Sequence, residues 1–77
     1  MNKERRKKLE TAIEKLNEAL ELIDECKTEE EESAENLPDN LYYSEFAEYL
    51  RQNAEDMDYE YNNIEEAINN LQEVIER

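Results

Sequence analysis

Residues 43–75 read YSEFAEYLRQNAEDMDYEYNNIEEAINNLQEVI, and the spacing of their apolar positions decides the fold. Tyr43, Ala47, Leu50, Ala54, Met57, Tyr61, Ile64, Ile68, Leu71 and Ile75 follow one another in alternating steps of four and three. That alternation is a heptad seam, with Ala47, Ala54, Tyr61, Ile68 and Ile75 at a and the other five at d. Phe46, Ala67 and Val74 fall at g, so at both ends the apolar face is wider than a strict two-helix seam needs. A helix with such a stripe must bury it, which points to a helical device for holding partners.

The same spacing recurs upstream in Leu9, Ile13, Leu16, Leu20 and Ile23, flanked by Ala12, Ala19 and Cys26 at g. Lys27 and Glu30 occupy the next seam positions, so the stripe stops there while helix-favouring residues continue. Between the two patterns lies the breaker cluster Asn36, Leu37, Pro38, Asp39 and Asn40. Pro38 disfavours helical geometry at Leu37, and Ser44 before Glu45 offers an N-cap, with Asp39 or Asn40 as competing caps. The expected fold is all-α: one domain over residues 1–77, an antiparallel two-helix hairpin with coiled-coil heptads. Helix one covers about residues 3–32, the loop about 33–43 and helix two about 44–76.

Charge placement supports the hairpin. The net charge is −14, yet Lys3, Arg5, Arg6, Lys7 and Lys8 supply five of the nine basic residues. This cluster sits at the N-terminus of helix one and Glu29 to Glu32 near its C-terminus, each opposed to the helix dipole. An antiparallel neighbour gives each cluster a favourable dipole end and brings Glu73 and Glu76 to the basic one.

Those bounds place Leu9 to Cys26 against residues 67 to 50, leaving Ile68, Leu71, Val74 and Ile75 opposite only Met1 and the basic segment. Burying these four in a second copy would contribute about 8 to 10 kcal/mol before entropy costs. A chain this short hides only about 60% of the surface its unfolded state exposes. A homodimer is therefore expected, built as a four-helix bundle with Ile64, Ile68, Leu71, Val74 and Ile75 in its interface.

Several function classes drop out. With no His and no Gly, the chain offers no nucleophile and base pair, no phosphate cradle and no zinc set, so no enzyme and no cofactor is expected. Asp56, Asp58 and Glu60 alternate as ligands do in calcium loops, but on a helix they step by about 200° and cannot converge, so no metal is expected. The single Cys26 reads as a small buried filler in a reducing compartment. No apolar run approaches the length of a signal or membrane segment, so a cytoplasmic protein is expected. The acidic surface repels nucleic acid and anionic membranes.

The acidic face is the sharpest clue to function. Between Glu14 and Glu35 stand ten acids against Lys15 and Lys27. Over roughly 33 Å of helix that is one acid per about 3.3 Å. Duplex DNA carries one charge per about 1.7 Å, so two such helices side by side approach a DNA-like rod suited to a basic groove. Glu21, Asp24, Glu25, Glu29 and Glu32 are the candidate partner-binding carboxylates, with Tyr42 and Tyr49 at c and Tyr59 at f as anchors. Alternatively, the acids only keep a coiled-coil spacer or assembly factor in solution.

Met1-Asn2-Lys3 leading to Arg6-Lys7, the loop Asn36-Leu37-Pro38-Asp39-Asn40-Leu41 followed by Tyr43-Ser44-Glu45, and Ile64-Glu65-Glu66-Ala67-Ile68-Asn69-Asn70-Leu71 form a distinctive order. In these stretches the chain resembles small acidic coiled-coil proteins encoded in phages and prophages of Gram-positive bacteria. The resemblance implies a bacterial host cytoplasm and an inhibitor of a host protein, in defence or nucleic-acid handling.

Overall fold

A computed structural model describes residues 1–77 as a helical hairpin. Helix α1 spans Lys3–Glu35 and α2 spans Glu45–Glu76, joined by a loop with one 3-10 turn at Asp39–Leu41. The two helices run back along each other in a rod of 60 × 15 × 12 Å.

Local chemistry sets each boundary. The Asn2 side chain caps α1 by accepting from the Arg5 N–H at 2.8 Å. The helix runs through the glutamates to Glu35, beyond the expected end near residue 32, because Ala34 continues the seam and is buried at 2% exposure. Leu37, restricted by Pro38, then leaves the helix. Ser44 is the cap of α2: its Oγ accepts from the Ala47 N–H at 3.2 Å and donates to the Leu41 carbonyl at 2.6 Å. No residue adopts a positive φ, so the loop turns without needing glycine.

The buried positions are Ile13, Leu20 and Ala34 on α1 with Ala47, Leu50, Ala54 and Ile68 on α2. All but Leu50 belong to the a rows. Ile13, Leu20 and Ile68 form the core cluster, against which Leu16, Tyr61, Ile64, Leu71 and Ile75 pack half-buried. Toward the loop the core thins to alanines.

Five expectations are corrected here. Lys27 lies opposite Asp58 and Glu30 opposite Asn53, where Tyr49 and Phe46 were expected. The cause is that α1 and α2 are nearly equal, at 33 and 32 residues, so the hairpin closes further along α2. Ile68 is consequently buried within the chain, with Ile64, Leu71 and Ile75 packed on the same cluster, so of the four residues expected to lack cover only Val74, half-buried at g, stands outside it. Tyr43 precedes the cap, stands outside the seam and is 86% exposed. Cys26 is exposed because a single partner helix covers the a row and part of the d row but not the g row. Finally, no residue of Lys3 to Lys8 pairs with Glu73 or Glu76. In the observed register Lys8 is level with Arg77, so the preceding basic residues stand past the end of α2.

Candidate functional site

The two open sides of the hairpin differ chemically, and the heptad rows show why. In an antiparallel pair the e row of one helix borders the e row of the other, and likewise the g rows. Three shallow grooves between the helices are lined by e-row residues: Glu31, Arg51 and Asp58 near the loop, Asn17 and Glu65 in the middle, and Glu10 and Gln72 toward the open end. Glu14, Glu55 and Glu76 add carboxylates along the same side.

Both cations on that side are already engaged. Lys27 donates to Asp58 Oδ1 at 3.2 Å and lies 3.9 Å from Asp24. The hydrogen bond to Asp58, then its charge and those of Glu31 and Asp24, hold the Lys27 pKa above its ordinary 10.5. Arg51 donates to the Tyr42 carbonyl at 2.9 Å, stacks 4.5 Å from the Tyr42 ring and meets Glu48 at 3.3 Å. What faces outward is therefore carboxylate and amide.

The other side carries the g rows and is mostly apolar or small, interrupted by Ser33, Asn53 and the exposed Glu60. Ala12, Ala19 and Cys26 of α1 run beside the half-buried Leu9, Leu16 and Ile23, and Ala67 and Val74 of α2 run beside Ile64 and Leu71. One polar bond crosses it, from Asn53 Nδ2 to Glu30 Oε2 at 3.0 Å. Tyr61 is half-buried in the seam.

The expected partner-binding residues do not form one surface. Glu21, Asp24, Glu25, Glu29 and Glu32 are all exposed on α1. Tyr59 is 67% exposed on the outward row of α2, and the outward rows of facing helices point apart, so it stands on the opposite edge from Glu25 and Glu32. Tyr42 is half-buried beneath Arg51 and serves the loop instead. Tyr49 is exposed and stacks with Phe46 at 6.3 Å between ring centroids.

That pair belongs to an aromatic tip that the tyrosine positions alone did not mark. Leu41, Tyr43, Phe46 and Tyr49 are all exposed at the loop end, with Tyr43 edge-on to Tyr42 at 5.0 Å. Phe46 at g was the available signal. At the open end Met1, Arg5, Lys8 and Leu9 line a shallow groove whose wall is almost entirely carbon. No group of three metal-ligating side chains converges anywhere, and no helix is long and apolar enough to cross a membrane. Comparison with known proteins finds no matching family, no similar curated protein and no similar solved structure.

Proposed function

We propose that this chain is a non-catalytic protein-binding module that associates with a second copy and presents its carboxylates to a basic surface of another protein, blocking it. On this reading it is a phage-type inhibitor of a host defence or nucleic-acid-handling protein, acting in the bacterial cytoplasm as a partial mimic of DNA. The observation that carries the reading is the engagement of Lys27 and Arg51 inside the chain, which leaves the carboxylates that line the grooves between the helices, Glu10, Glu14, Glu55, Glu65 and Glu76, facing outward. A basic groove would meet charge it can neutralise, and association would be steered by that field.

The test is capture of bacterial proteins on the immobilised chain at low salt, with release by duplex DNA. DNA-binding proteins should be retained, displaced by DNA, and lost when Glu21, Asp24 and Glu25 are replaced together by Lys. Retention indifferent to salt and to that replacement contradicts the charge-driven role.

A second reading is a structural spacer or assembly factor, favoured by the extended 60 Å rod, which has no deep cavity. A spacer tolerates the triple replacement without loss of partner.

A further inference from the structure

The open g side of the hairpin and its two unlike tips fit one occupant, a second copy laid antiparallel. We infer that two chains pair through their g rows with opposite polarity, so that Phe46 and Tyr49 of each chain seat in the groove formed by Met1, Arg5, Lys8 and Leu9 of the other. This rests on the self-association proposed above and deepens it by fixing face and direction.

Three observations carry it. The g side presents small residues, half-buried at Ala12 and Ala19 and exposed at Cys26 and Ala67, which allow helices to approach closely, beside d-row residues that one partner helix leaves half-covered. A rod 60 Å long and 15 Å wide offers about 900 Å² per copy on one face, or about 1,800 Å² for a pair, within the range of stable interfaces. Charge then selects the direction. The basic segment Lys3 to Lys8 makes no ion pair within its own chain, and Glu29 to Glu32 make none either. A parallel arrangement would set basic tip on basic tip and glutamate run on glutamate run. The antiparallel one opposes unlike charges at both ends and closes as a two-fold dimer.

The register agrees with this arrangement. Superposing the midpoints of two antiparallel rods brings the level of Tyr49 to that of Lys8 and the level of Phe46 to that of Arg5. The stacked aromatic pair thus meets the carbon-walled groove and its two cations, which favour aromatic faces. The e-row side stays open to a basic partner.

The experiment uses disulfide trapping. Lys8→Cys and Tyr49→Cys are made separately in a Cys26→Ser background, both at exposed positions outside the core, and helical content is checked by circular dichroism. The two chains are mixed in equal amounts and oxidised. The antiparallel dimer predicts the mixed disulfide in roughly tenfold excess over either symmetric one. Predominance of the two symmetric disulfides means a parallel dimer and overturns the direction while leaving self-association standing. Absence of any intermolecular disulfide overturns self-association itself.

Discussion

The loop half and the open half of this hairpin hold together by different means. In the open half Ile13, Leu20 and Ile68 close a cluster, with Leu16, Ile64, Leu71 and Ile75 around it. In the loop half the buried positions are chiefly alanines, at 34, 47 and 54, and the contacts between helices there include polar ones, Lys27 with Asp58 and Glu30 with Asn53. Large side chains supply burial, whereas small ones bring the backbones close enough for directional bonds to matter. The open half therefore carries most of the hydrophobic stabilisation and the loop half fixes the register.

Truncation in the open half is the strongest way to break this contrast. Ile68→Ala removes buried methylenes at the centre of the cluster and should cost about 2–5 kcal/mol, enough to unfold most of a domain this small. Urea titration followed by circular dichroism measures it. A loss below 1 kcal/mol, roughly the cost of a tolerated swap, would mean the cluster is not the core.

Enlargement should hurt where truncation cannot. Ala47 has no exposed surface, so Ala47→Leu forces the helices apart and should cost about 1–3 kcal/mol in the same titration. A neutral or stabilising result would show that the loop half is loosely packed and its register not fixed by close approach.

The smallest effect belongs to Lys27. Its pKa is raised in the folded chain, chiefly by the hydrogen bond it donates to Asp58, so its contribution is complete below the ordinary value of 10.5 and is lost as pH rises through the folded value. Between pH 9 and about 11.5 the parent chain should therefore lose slightly more stability than Lys27→Met. Equal losses would leave the Lys27–Asp58 bond without a role in stability.

How much of this was legible in the sequence follows from the same contrast. Pro38 and Ser44 act through their own backbone chemistry, so the loop and the start of α2 could be read directly, and the apolar spacing included Ile13, Leu20, Ala47, Leu50, Ala54 and Ile68, all of them buried. The register could not be read, because it depends on where α1 ends, and Ala34 carried that helix past the apolar stripe. Cys26 and Tyr43 were misplaced for a related reason. Periodicity gives the rows, but the number of rows covered depends on how many neighbours the helix has. For the candidate site, the acids were visible as a run, while their separation from Tyr59 and the pinning of Tyr42 by Arg51 required three dimensions.

One side of the hairpin is apolar enough to take a second copy, while the other stays open and acidic. Light scattering on the folded chain at micromolar concentration tests it most directly. The paired chain should scatter as twice the 9.3 kDa chain mass. A cooperative, fully helical chain at 9.3 kDa would contradict it.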